Sequence, residues 1–203
     1  MGGLLGVDGP FYKFGSAIAD VFIIGLLWFI FSIPVVTMGA STAAAYYIFT
    51  KRAENKDTYL FKGFAISFKE NLLQGVIAFL ILAVAFYGVW LNLTLLGEVD
   101  LGPVGFPVQI ALLFVAIQLI FISMYAFVIM SRFEMKLLDI FKNALLLAYR
   151  HLFFTFGNVV LLLIALLAIL VLPILIFVMP GIYFYVSSFG FLRVFQKNKP
   201  ADF

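Results

Sequence analysis

The sequence predicts an all-α protein, a polytopic transmembrane helical bundle, and its composition and uncharged runs support this fold class. Of its 203 residues, 65% are apolar and only 11% are charged, with a mean hydropathy of +1.17. Soluble domains carry about 25% charged residues. Uncharged runs are long enough to cross a bilayer, which takes about 20 helical residues. Because the apolar character continues throughout, residues 1–203 are expected to form a single integral membrane domain.

The first long apolar region, residues 17–50, is too long for one span, since a single helix of that length would measure roughly 50 Å. Near its middle, a proline is followed by small and polar residues: Pro34, Thr37, Gly39, Ser41 and Thr42. Proline removes a backbone donor, while glycine and serine favour a turn and a new helix start. The pattern predicts a full span at 17–36 and a shorter limb at 40–53.

Three further regions are uncharged and long enough to cross with some tilt: 72–96, 107–130 and 157–179. The last contains Pro173, and a short limb at 182–195 follows Pro180-Gly181. The order of long span, Pro/Gly break and short limb thus occurs at both ends of the chain, which suggests a weak internal repeat. The whole pattern predicts three helical hairpins, with six membrane segments, or five if one short limb re-enters or lies flat.

Basic residues predict the orientation, because lysine and arginine near the ends of spans stay in the cytoplasm. Twelve of the thirteen lie in three groups, at 51–69, 132–150 and 193–199. The connection at 97–106 has Glu98 and Asp100 but no basic residue, so it is expected to face outward. With Lys13 near the start, both termini are predicted to be cytoplasmic.

Two cytoplasmic connections are predicted to form amphipathic helices, at 60–71 and 132–150. Each has a basic side opposite an apolar side. We interpret them as interfacial helices that meet anionic lipid head groups; the alternative is a docking surface for a cytoplasmic partner. The basic residues of this surface are Lys62, Lys69, Arg132, Lys136, Lys142 and Arg150.

Polar residues inside spans are candidate functional residues. Asp20 is the one carboxylate in a predicted span, and it is explained either as a first-turn acid behind a Ser16 cap or as a site. In the second interpretation it pairs with Arg193 or Arg150, or binds a proton or a cation. The candidate binding residues are Asp20, Pro34, Thr37, Gly39, Ser41, Thr42 and Arg193.

Catalytic motifs are missing from the sequence. It contains no P-loop, no zinc-type His-Glu-His helix and no nucleophilic serine in a Gly-x-Ser-x-Gly pattern. Cysteine is absent, and a lone histidine, His151, cannot build a histidine metal site. We therefore expect no enzyme activity, no metal, no cofactor and no nucleic-acid partner.

Four motifs in the first third of the chain carry a resemblance: Asp8-Gly9-Pro10-Phe11, Leu26-Leu27-Trp28, the run from Pro34 to Ala44, and Ser67-Phe68-Lys69-Glu70-Asn71. In this order and spacing they resemble the YesL family of bacterial membrane proteins. The resemblance implies a small plasma-membrane protein of uncharacterised function, often encoded near carbohydrate-uptake and polysaccharide-degradation systems in Gram-positive and related bacteria. It transfers no catalytic residue.

Two functions follow as expectations. The first is an accessory component associated with carbohydrate uptake or utilisation, which contacts the bilayer and membrane transporter subunits. The second is a small-molecule or ion carrier or channel with a site at the helix breaks near Pro34 and Pro173. A sugar path needs many hydrogen-bonding side chains, and the spans have few, so the first is favoured.

Overall fold

A computed structural model describes residues 10–54, 56, 58–98 and 102–197, and this part of the chain is all helical. The α-helices are α1 (Pro10–Phe31), α2 (Met38–Ala53), α3 (Leu60–Glu70), α4 (Leu72–Glu98), α5 (Gly105–Met130), α6 (Leu137–Arg150), α7 (Leu152–Val171) and α8 (Met179–Lys197). The predicted class, a helical membrane bundle, is confirmed. Asp8, Gly9, Asp100 and Lys199 lie outside the described residues, as do the side chains of Lys13 and Glu98.

Within the described ranges, three helices, α4, α5 and α7, are long and apolar enough to cross a membrane. The bounds of α4 and α5 agree with the predicted spans at 72–96 and 107–130 to within two residues at each end. Many of their large apolar side chains are exposed on the bundle. An exposed apolar surface of this extent suits helices that face lipid tails.

The C-terminal span was predicted to end at Pro180-Gly181, but it ends earlier, at the predicted break near Pro173. Helix α7 ends at Val171 because Leu172, the residue before Pro173, has an extended backbone (φ −131°, ψ 91°), as sterics before proline favour. A short 3-10 helix (Pro173–Phe177) follows. Helix α8 then begins at Met179, so Pro180-Gly181 lies in its first turn, where proline is tolerated.

The N-terminal break lies close to its predicted position, although α1 ends at Phe31 rather than continuing to 36. The Thr37 hydroxyl lies 2.6 Å from the Phe31 carbonyl oxygen and 2.7 Å from that of Pro34, within hydrogen-bonding distance of both. Such a bond satisfies a carbonyl that the end of a helix leaves without a partner. The chain then reverses into α2.

The two amphipathic helices differ in how well they were predicted. Helix α3 is confirmed, with Phe64 buried and Lys62 and Lys69 exposed. Arg132 and Lys136 were predicted to lie on the polar stripe of a helix at 132–150. Helix α6 begins only at Leu137, so this part of the prediction was wrong. The two residues lie in a connection of residues 131–136, where Lys136 has an extended backbone and precedes the first turn of α6.

Helix α2 lies at the centre of the bundle and contacts α1, α3, α4, α5 and α8. At its start, Gly39 packs against the backbone of Gly75, close to the beginning of α4. At its end, Glu54 pairs with Arg132, just after α5. Helix α2 therefore lies where α4 begins and α5 ends, and it does not accompany these two helices along their apolar length. Of the two arrangements left open, this favours the one in which a short limb does not cross.

The order of helices repeats in a way that the sequence did not indicate. Helix α2, a six-residue connection, amphipathic α3, the single residue Asn71 and apolar α4 follow one another. Helices α5, α6 and α7 have the same order, with a connection of the same length and the single residue His151. This repeat differs from the predicted repeat of the first and last hairpins.

Candidate functional site

Two of the predicted binding residues, Ser41 and Thr42, contact Trp28 and Ser32 between α1 and α2, and we call these four residues the seam. The Trp28 indole N–H donates to the Thr42 hydroxyl over 3.0 Å, and the Ser32 and Ser41 hydroxyls lie 2.6 Å apart. These polar groups therefore hydrogen-bond to each other across the two helices.

Small residues continue this packing on the other side of α2. A Cβ atom added to Gly39 would collide with the Gly75 carbonyl oxygen and would lie 2.7 Å from the Phe127 ring. Ala40, Ala43 and Ala44 are fully buried. In membranes, small residues let helix backbones approach closely. The seam and these contacts explain the Pro34 to Ala44 motif as packing, and ligand binding there stays a prediction.

Asp20 pairs with Arg52, not with Arg150 or Arg193 as the functional interpretation proposed. One Arg52 guanidinium nitrogen lies 3.0 Å from Asp20 Oδ2 and 3.2 Å from Oδ1. The pair links α1 to the end of α2, because the two helices run antiparallel on either side of Pro34. Arg193 lies elsewhere, in a cavity beside His151.

Glu54 links α2 to the connection after α5. Its carboxylate pairs with Lys56 at 2.8 Å and also with Arg132. Burial, the largest single influence, opposes ionisation of Glu54, but hydrogen bonds from Lys56 and Arg132 and their positive charges together hold its pKa below the ordinary value. The carboxylate thus holds Arg132 in place at the start of the connection after α5.

A polar cavity, which we call the groove, lies between the α3–α4 corner and the connection after α5. Its volume is about 720 Å³. The lining residues are Tyr47, Ser67, Glu70, Asn71, Gln74, Met130, Ser131, Arg132, Phe133, Glu134, Met135 and Lys136. Two carboxylates and two basic side chains face it together, so the groove offers charges of both signs as well as neutral hydrogen-bonding groups.

Hydrogen bonds hold the walls of the groove. The Gln74 amide donates to the Met135 carbonyl over 2.7 Å, which joins the start of α4 to the connection at 131–136. The Asn71 amide donates to the Ser67 carbonyl over 2.8 Å and ends α3 at the corner. The Lys51 ammonium donates to the Tyr47 hydroxyl over 2.5 Å.

Sequence reasoning found the groove in part. Of the six predicted surface residues, Arg132 and Lys136 line it, whereas Lys62, Lys69, Lys142 and Arg150 do not. It missed Glu70, Asn71 and Glu134 as site residues. The available signal was that polar residues cluster at the ends of both amphipathic helices. Among the described residues, no group of three or more acidic or histidine side chains could hold a metal ion.

Comparisons with known proteins give a family match over part of the chain. The model of a family described as "Protein of unknown function, DUF624" matches residues 21–93, from α1 into α4. The matched region contains the seam, α3 and the Gly39–Gly75 contact. Comparisons with curated proteins and with solved structures found no match.

Proposed function

We propose that this protein is a YesL-like accessory component of the bacterial plasma membrane, which binds a subunit of a carbohydrate importer through the groove. The observation that carries the proposal is the groove itself, an open cavity of mixed charge at the basic end of the bundle. Interfaces that exclude wrong partners use such patterns of complementary charge. The carbohydrate context comes from the family resemblance.

The charge distribution supports a cytoplasmic position for this end. Arg132 and Lys136 line the groove, and Phe133 packs against Phe195 near the end of α8, with ring centroids 5.6 Å apart. Basic residues at the ends of spans favour the cytoplasm. We infer that the α1–α2 hairpin enters and leaves the bilayer on this side, and that α8, which is less apolar than the three candidate spans, returns across the bilayer beside α7. Both termini are then cytoplasmic.

The alternative, a carrier or channel, has weaker support because several buried hydroxyl groups within the bundle are paired with one another. Besides the seam, the Tyr125 and Thr155 hydroxyls lie 2.8 Å apart and the Ser187 hydroxyl donates to the Tyr46 hydroxyl over 3.2 Å. A pathway through α2 has to break such contacts. The groove, in contrast, is open without any rearrangement.

Two lysines of the same region provide a test of partner binding. Lys136 lines the groove and Lys142 does not, and both are exposed. With importer membrane subunits co-expressed from the same bacterium, we expect Lys136→Glu to reduce their co-purification at least about tenfold, because like charges brought together at an interface cost several kcal/mol. Lys142→Glu is expected to keep it.

A flux assay separates the two functions. Proteoliposomes of the purified protein alone are expected to pass neither labelled sugars nor monovalent cations faster than empty liposomes. Flux that Lys136→Glu leaves intact would support the carrier function and contradict the proposal. Equal co-purification by wild type and both lysine variants would show that the groove is not the binding surface.

A further inference from the structure

We propose that a second cavity, at the α6–α7 corner, binds a phosphate group, carried either by an anionic phospholipid or by a soluble phosphate compound. The cavity has a volume of about 420 Å³. It is lined by His151, Phe154, Gly190, Arg193, Val194, Gln196 and Lys197. This inference does not depend on the proposed partner of the groove.

The charge of the cavity favours an anion. Arg193 and Lys197 lie one turn apart on α8 and therefore project from the same side of the helix. Arginine presents a planar fork of donors that matches phosphate geometry, and lysine adds a point charge. His151 and Gln196 contribute further groups able to donate hydrogen bonds. Among the described residues that line the cavity, none is acidic.

The cavity is preformed by close packing of α7 on α8. A Cβ atom on Gly190 would collide with the Phe154 ring, so glycine permits this approach. Phe191 contacts both Phe154 and Tyr125, with ring centroids 5.0 Å apart in each pair. The aromatic wall is thereby fixed before any ligand arrives, which lowers the entropy cost of binding.

The surface beside the cavity is suited to lipid. At the start of α7, Phe153 is 98% exposed, and Leu152 and Phe156 are also exposed. A phospholipid whose phosphate occupies the cavity can cover these side chains with its acyl chains. Basic pockets between transmembrane helices on the cytoplasmic side bind anionic head groups in this manner.

The second cavity and the groove lie at equivalent positions in the two halves of the helix repeat. The groove lies at the α3–α4 corner and is closed by residues at the end of α5, while the second cavity lies at the α6–α7 corner and is closed by the end of α8. The repeat thus produces two corner cavities of different charge. Glu70 and Glu134 give the groove mixed charge, whereas the second is basic.

The test compares two charge-removing variants. Arg193→Gln/Lys197→Gln alters the cavity. Lys62→Gln/Lys142→Gln removes the same charge from the exposed interfacial helices, so it measures how much lipid is lost when only the general attraction to head groups is weakened. After purification from vesicles of phosphatidylglycerol and phosphatidylethanolamine, native mass spectrometry measures retained phosphatidylglycerol. We expect the cavity variant to bind about 25-fold less tightly, since each basic residue near an anionic surface contributes roughly fivefold. Arg193→Lys/Lys197→Arg keeps both charges and is expected to retain the lipid. Its retention would show that substitution at these two positions does not itself disrupt the fold.

A second arm distinguishes the two sources of phosphate. In lipid-free detergent, sodium phosphate is titrated while the melting temperature is measured, with sodium chloride at equal ionic strength as reference. A stabilisation by phosphate that the cavity variant alone loses identifies a soluble ligand; retention of phosphatidylglycerol without it identifies the lipid. Equal lipid retention and equal phosphate response in all variants overturn the proposal, as does equal loss in both charge-removed variants.

Discussion

The α1–α2 seam and the groove use similar polar side chains in opposite ways. In the seam, Ser32, Ser41 and Thr42 are engaged in hydrogen bonds between two helices. In the groove, polar groups from three parts of the chain surround an open volume. The seam belongs to the region matched by the family model, whereas the groove combines that region with the connection after α5. Polar residues in a membrane protein thus indicate a site only when the helices around them leave space.

The strongest test of this comparison is a methyl group placed in the packed region. Gly39→Ala is expected to lower the free energy of unfolding by about 1–3 kcal/mol, because the Cβ collides with the Gly75 backbone and overpacking of a filled site costs this much. Denaturation with increasing sodium dodecyl sulfate in mixed micelles measures the change.

Gly88→Ala is the matched control. A Cβ atom on Gly88 of α4 has no neighbour within 4 Å, so alanine is expected to stabilise the helix by up to about 1 kcal/mol. If Gly39→Ala is as stable as Gly88→Ala, the motif after Pro34 is not a packing motif, and its role as a ligand site becomes the better explanation.

Removal of the Asp20–Arg52 ion pair at the charged end of the α1–α2 hairpin should change the free energy of unfolding less than Gly39→Ala does. Asp20→Asn is expected to cost about 1 kcal/mol, since the Asp20 side chain is 12% exposed but Arg52 is 32% exposed and partly screened by water. In a double-mutant cycle, adding Asp20→Asn to Arg52→Gln should cost much less than the single change. Additive costs would show that Asp20 acts independently of Arg52, for example as the cation or proton site considered from the sequence.

Much of the fold, but little of the site, could be predicted from the sequence. Hydropathy predicted α4 and α5, and the helical spacing of lysine and phenylalanine on opposite sides predicted α3. Both signals are local in the sequence. The beginning of α8 was missed, since a proline that ends one helix is equally compatible with the first turn of the next. The pairing of Asp20 with Arg52 could have been predicted, because the two residues lie at similar distances along the sequence on either side of Pro34. The groove had only an indirect signal, the polar residues at the ends of the amphipathic helices, because its lining depends on how α3, α4 and the connection after α5 meet.

The smallest expected effect is the pH dependence of the stability that Glu54 contributes. The seam has no titrating group, so its contribution is not expected to change with pH. Because ionic partners lower the pKa of Glu54 below its unfolded value near 4.5, the stabilisation is complete above that value and is lost as pH falls through the lowered pKa. The difference in unfolding free energy between wild type and Glu54→Gln should therefore fall towards zero on acidification, from at most about 1 kcal/mol. Thermal melts of both proteins in detergent across this range measure the difference. A difference that does not change with pH would mean that Glu54 stabilises the α2–α5 contact by its shape and hydrogen bonds and not by its charge.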